Sequence, residues 1–229
     1  MPLRRSHKAA LALAICTFSA TGCDNWSFRF KGPSIELPGF SYNSNKLNPL
    51  QISGEEKWHS GDFQGAREDF DKLIKEEPNN AYAFFSRGSA LLKLGKLQEA
   101  MDDTNKALEL NPNIAKAYET RGVAKELMGN QGGAIRDFNR AIETDGNFSS
   151  AYANRGAVKS DLGNYEGALI DLNKALEIDP NLAYGYRLRA KNYDRQGNMT
   201  DACKDMKKGS SLGDEEAARL LKDNPGSCK

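Results

Sequence analysis

Histidine is scarce in this chain: two among 229 residues. Metal centres and general acid–base chemistry lean on that side chain, so its near absence removes most such schemes. Charge of one sign is also lacking. Lys+Arg number 32 against 31 Asp+Glu, a net of +1, which excludes a simple polybasic nucleic-acid binder. Aromatics make up 9% of residues, with two Trp. No apolar run reaches the roughly 20 residues a membrane-spanning helix needs, and mean hydropathy is −0.66. A multi-span membrane protein is therefore excluded. No low-complexity tract argues for disorder.

The motifs of catalysis fail in the same way. His59 has no second His or Cys within helical reach and reads as a solvated residue at a helix end. Gly129-Asn130-Gln131-Gly132-Gly133 lacks the Gly-Lys-Ser/Thr ending of a phosphate loop. Asp145-Gly146-Asn147 lacks the acidic positions spaced two apart that a calcium loop requires. No Ser-His-Asp or Cys-His set can be assembled, so the sequence predicts neither an enzyme nor a cofactor or metal.

What is present is a period. Gly61, Gly95, Gly129, Gly163 and Gly197 follow one another at a constant step, and Ala66, Ala100, Ala134, Ala168 and Ala202 keep it. So do Pro78, Pro112 and Pro180, with Gly146 in the remaining slot. The segments Ala117–Gly122 and Ala151–Gly156 are near copies. Self-similarity at 34 residues is the signature of a repeat architecture. Leu- and Ala-rich stretches flank each Gly of the first column, where Gly supplies the positive φ that ends a helix. The Pro column ends a second helix. Each unit is thus a helical hairpin. Gly54, Gly88, Gly122, Gly156 and Ala190 make a small-residue column on the first helix, set against the Ala66 column on the second, so that Gly122 should lie close to Ala134. Phe84, Tyr118, Tyr152 and Tyr186 fill the first helix, and Phe70, Phe138, Leu172 and Met206 the second.

This pattern resembles the tetratricopeptide repeat family over residues 47–216, in units 47–80, 81–114, 115–148, 149–182 and a degenerate 183–216, followed by a cap over 217–229. The resemblance implies an all-α solenoid of five hairpins plus a capping helix. It also implies a concave groove, lined by the first helices, that binds a peptide or partner helix. The family's groove positions correspond to Phe85, Ser86, Ser89, Lys93, Glu119, Thr120, Val123, Ala153, Asn154, Ala157, Arg187, Lys191 and Arg195, apolar near Phe85 and Val123 and basic at the far end. The Lys/Asn clamp by which some members hold a terminal carboxylate is matched only by Asn154. The implied partner is a protein and not a nucleic acid.

Two charged columns share the period: Arg87, Arg121, Arg155 and Arg189, and Asp69, Asp103, Asp137, Asp171 and Asp205. Beside the packing face an unpaired charge is costly, so each Arg should meet an Asp. Pairing inside a repeat (Arg87 with Asp103) and to the preceding one (Arg87 with Asp69) each leave one Asp over, and the count does not choose.

The amino terminus differs from the rest. Arg4, Arg5 and Lys8 precede an apolar run from Ala9 to Ala20, and Ala20-Thr21-Gly22 ends it before Cys23. A basic start, a short apolar core and a small-residue exit predict a signal peptide over 1–22. The exit resembles a bacterial lipobox, with Ala20 where Leu is favoured. That implies lipid on Cys23 and a chain anchored to a bacterial cell membrane on its periplasmic or outer face. Ordinary cleavage after Gly22, giving a soluble periplasmic protein, is the alternative. Residues 23–46, dense in turn formers, read as a flexible tether. Cleavage leaves 29 basic against 31 acidic residues.

Cys203 and Cys228 then remain as a pair in an oxidising compartment. A helix from Glu215 to Asp223, capped by Asp214, would return the tail to Cys203, predicting a disulfide that closes the cap. Together these features predict an exported, membrane-tethered scaffold for protein–protein interaction. The alternatives are a permanent assembly subunit of an envelope or photosynthetic-membrane complex and, behind it, a small-molecule or glycan binder.

Overall fold

The computed structural model describes residues 48–223 and Cys228. The predicted signal segment, Cys23 and the tether lie outside the described residues. Eleven α-helices follow one another without a strand among the described residues. They form five hairpins: α1 (Pro49–His59) with α2 (Phe63–Glu76), α3 (Ala81–Lys93) with α4 (Leu97–Leu110), α5 (Ala115–Leu127) with α6 (Gln131–Thr144), α7 (Ser149–Asp161) with α8 (Tyr165–Ile178), and α9 (Ala183–Arg195) with α10 (Met199–Ser211). A last helix, α11 (Glu215–Asp223), closes the array. None is long and apolar enough to cross a membrane among the described residues.

Local sequence sets the boundaries. The Gly at each hairpin turn has φ between 75° and 85°, a conformation that side chains with a Cβ rarely adopt. The residue after it caps the second helix: Asp62, Asn130, Asn164 and Asn198 each accept a backbone N–H three residues on. Such a cap contributes about 1 kcal/mol. Lys96 stands at this position in α4 and makes no side-chain cap.

The core runs as a seam between the two helices of each hairpin. Ala66, Ala100, Ala134 and Ala168 are fully buried on the second helices. Gly88 and Gly156 approach the carbonyls of Ala100 and Ala168, and a Cβ on either glycine would stand 3.2 Å from that oxygen. At Gly122 the nearest group is the Phe138 ring, 2.7 Å from where a Cβ would be. Phe138 is fully buried in one cluster with Ala134 and Val158, so the glycine makes room for the ring.

The charged columns resolve into a ladder. Each Arg places Nε and Nη2 on both oxygens of the Asp in its own repeat, Arg87 on Asp103, Arg121 on Asp137, Arg155 on Asp171 and Arg189 on Asp205, at 2.6–2.9 Å. Its remaining Nη1 donates to the preceding repeat, at Asp71, Asn105, Asn139 and Asn173, at 2.6–2.7 Å. The guanidinium carbon also stands 5.4–5.6 Å from the ring of Phe84, Tyr118, Tyr152 or Tyr186, three residues earlier. Pairing is therefore within the repeat for the carboxylate, with one arm reaching back. Asp69 meets no Arg among the described residues; it accepts Ser53 Oγ at 2.6 Å, Lys57 Nζ at 2.5 Å and Lys72 Nζ at 3.3 Å.

The carboxyl end is stapled. Gly209, where the second to fourth units carry Ala107, Ala141 and Ala175, lets α10 sit against α9: a Cβ there would be 3.0 Å from the Ala183 carbonyl. Asp214 caps α11 through the Ala217 N–H at 2.7 Å. A disulfide joins Cys203 to Cys228, with Cα atoms 5.3 Å apart.

Candidate partner-binding groove

Successive first helices touch, α3 with α5, α5 with α7 and α7 with α9. They form one continuous wall, and every residue the sequence assigns to the groove lies on it.

Several of those residues offer little surface. Ser86, Thr120 and Ala153 are buried; Ala153 belongs to the core around Leu172, and the Thr120 hydroxyl donates to its own helix at the Lys116 carbonyl, 2.9 Å away. Phe85 stacks edge-on to Tyr82, ring centroids 6.0 Å apart. Val123 packs beside Phe138 and keeps part of its surface, as do Ser89 and Ala157, while Lys93 is exposed.

The middle of the wall is polar and joined across repeats. Asn154 Nδ2 donates to Glu119 Oε1 at 3.0 Å. The one residue matching a carboxylate clamp is thus already engaged. Burial pushes the Glu119 carboxyl above the usual range, against a hydrogen bond from Ser150 and the charges of Lys116 and Lys93. Tyr184 hydrogen-bonds Ser150 as well, and burial raises its hydroxyl. Two turns further along α5, burial and the neighbouring Asp161 push Glu126 up to about 7. Tyr184, Ser150 and Glu126 lie outside the thirteen assigned positions. They stand three residues before or seven after the groove columns, on the same helix face, and that spacing was the available signal.

At the far end the predicted basic surface is not open. Arg187 Nε meets both oxygens of Asp214 at 2.9 and 3.0 Å, and Arg187 Nη1 meets Glu216 at 2.8 Å. Lys191 takes the other oxygen of Glu216 at 2.8 Å, and that hydrogen bond holds the Glu216 carboxyl below the usual range. Arg195 donates to Ser160 and pairs with Asp161 at 2.6 Å. The first turn of α11 neutralises Arg187 and Lys191, which the period could not foretell because α11 lies outside it. No group of three metal-ligating side chains exists among the described residues. His59 is exposed, its ring edge-on to Trp58.

Residues 81–114 and 149–182, the α3–α4 and α7–α8 hairpins, match the tetratricopeptide repeat model. No curated protein matches the chain at a significant level. Among solved structures, MamA is similar at 25% identity with a TM-score of 0.59, over 76% of this chain and 99% of that one. A thermophilic tetratricopeptide repeat protein of Thermus thermophilus is similar at 20% identity and a TM-score of 0.68, over 77% and 96%. YrrB, described as having an unusual peptide-binding site, is similar at 20% identity and a TM-score of 0.55, over 79% and 94%. Two matched units, a 34-residue period and five stacked hairpins with a capping helix give this chain the fold of a tetratricopeptide-repeat solenoid.

Proposed function

We propose that the protein is an exported, membrane-tethered scaffold that holds a protein partner along the wall formed by α3, α5, α7 and α9. The observation that carries this reading is the strip around Glu119, Val123 and Glu126. It lies along one face of α5, is tied to α7 through Asn154, and is partly open to solvent. YrrB shares the fold, and its peptide-binding site is consistent with using this scaffold for recognition. A photo-cross-linking residue at Val123 should capture a specific protein in intact cells, and the same residue at Ile170, 70% exposed on α8, should not. Capture from Ile170 alone would favour the permanent assembly subunit instead.

Export and anchoring rest on residues 1–23 of the sequence, with support from the Cys203–Cys228 disulfide, a bond that persists in oxidising compartments. Cys23→Ala should abolish fatty-acid labelling and release the chain from the membrane fraction or block its maturation. One acyl chain holds a protein only marginally whereas two or more hold it firmly. An unlabelled wild type, found soluble in the periplasm, would replace the lipoprotein reading by ordinary cleavage.

A further inference from the structure

The wall of α5 carries Glu119, Val123, Glu126 and Leu127 at i, i+4, i+7 and i+8, one face of one helix. Glu119 accepts hydrogen bonds only from the neutral side chains of Asn154 and Ser150, and forms no ion pair among the described residues. Glu126 has neither a hydrogen-bond nor an ion-pair partner among the described residues, and the charge that bears on it is the like charge of Asp161. The cations that could have served this strip are spent elsewhere. Arg187 and Lys191 are held by α11, and Arg195 by Asp161. Lys93 and Lys116 act on Glu119 through space, and neither bears on Glu126. A partly desolvated carboxylate beside another carboxylate is unfavourable until a cation arrives.

We propose that this strip receives a basic segment of the partner, two Lys or Arg side chains flanking one apolar residue that lies over Val123. The proposal rests on the groove reading above and adds the chemistry of what fills it. Seven residues of α5 separate the two carboxylates, about 10 Å along the axis. A helical segment with basic residues at i and i+7 spans that distance, as does an extended one at i and i+3. Beyond Glu126, Leu127 is 62% exposed, and Leu162, adjacent to Asp161, is 54% exposed. They form an apolar rim that suits an amphipathic segment better than a free polyamine. An acidic segment would meet Glu119 and Glu126 and find Arg187 and Lys191 already paired.

The test uses the mature chain and a labelled helical peptide with Lys at i and i+7 and Leu at i+4, with a second peptide carrying Glu for both Lys. Fluorescence anisotropy should show the Lys peptide binding, more weakly as salt rises, and the Glu peptide failing to bind. Glu119→Gln with Glu126→Gln should weaken the Lys peptide by about tenfold or more. Glu126→Gln alone, a variant that keeps its fold by removing an unfavourable charge, should give an intermediate loss. Equal binding of the two peptides, or a double variant that binds like wild type, overturns the charge inference and leaves the groove reading intact. No binding of the Lys peptide, while Val123 cross-linking still captures a specific partner, also overturns the inference alone. If both measurements are blank, the groove reading falls with it.

Discussion

Replacing Arg87 by Met should cost the fold more than the same replacement at Arg121, although the two arginines occupy equivalent places in the ladder. Met keeps the aliphatic stem and removes the guanidinium, with its charge and its contact over the ring three residues earlier, equally at both sites. In the third repeat Asp137 would keep Lys125, whose Nζ stands 2.7 Å from its second oxygen. The loss is then that of charge-assisted hydrogen bonds, about 1.5–3 kcal/mol. In the second repeat Leu91 stands where Lys125 does, so Asp103 would be left buried with no paired cation among the described residues. A buried charge stripped of its partner costs about 3–5 kcal/mol. Asp71 is not stranded, because Arg67 also holds it at 2.8 Å. The two variants should therefore differ by about 2 kcal/mol, or ~4–8 °C in Tm for a chain of this size. Circular-dichroism melts across a pH series would measure it. Burial already raises the Asp103 carboxyl against the pull of Arg87, and without Arg87 it rises further. A group bound more tightly to its proton in the folded state stabilises at low pH, and that stability is lost as pH rises through the folded value. The Arg87→Met deficit should accordingly shrink on acidification, and the Arg121→Met deficit should change less. Equal losses at the two sites, or an Arg87→Met deficit indifferent to pH, would refute this account of the ladder.

Gly122→Ala should destabilise by about 1–3 kcal/mol, because its Cβ would stand 2.7 Å from the Phe138 ring. Gly132→Ala, with only Arg136 Nη1 at 3.8 Å, should instead raise Tm through helix propensity, and a urea titration of the pair shows whether packing decides. Glu126→Gln should raise Tm at pH 8, by a few degrees at most since the group is partly solvated. It should also flatten the fall in stability between the ordinary Glu range and about 7, the folded value; a fall that persists in the variant would remove Glu126 as its cause. Cys203→Ser should loosen the carboxyl-terminal repeat by about 3–4 kcal/mol on the chain-entropy account. Hydrogen exchange should register this in α10 and α11, and wild type in reductant should match it.

The period made the hairpins legible because each turn and each helix end depends on a few local residues repeated at one spacing. Asp214 as a cap and the return of Cys228 to Cys203 were legible for the same reason: both follow from helix length and chain reach. Contacts between columns were harder. Asp69 and Asp103 were equally good partners for Arg87 on paper, and only the geometry of the hairpin puts both Asp103 oxygens on the guanidinium fork. The column that takes the third arm, Asp71, Asn105, Asn139 and Asn173, also recurs at the period, so the sequence held that signal, masked because Asn carries no charge. That the Phe138 ring is the nearest group to Gly122 was not legible, because a small residue can make room for a backbone or for a ring. The covered end of the groove was invisible, since the pairing of Arg187 and Lys191 depends on a helix that follows no repeat.

The ladder also gives the array a direction and two end stops. Each interior joint needs an Arg on one repeat and an Asp or Asn on the repeat before it. At the amino end the Arg place holds Ser53, which donates to Asp69 in its own hairpin. At the carboxyl end the acceptor place holds Lys207, whose Nζ donates to the Cys228 carbonyl at 3.1 Å. Neither end position therefore offers the Arg fork or the Asp or Asn acceptor that an interior joint uses. An extra repeat added in the middle would meet ladder partners on both sides, whereas one added at either end would lack this rung of the ladder.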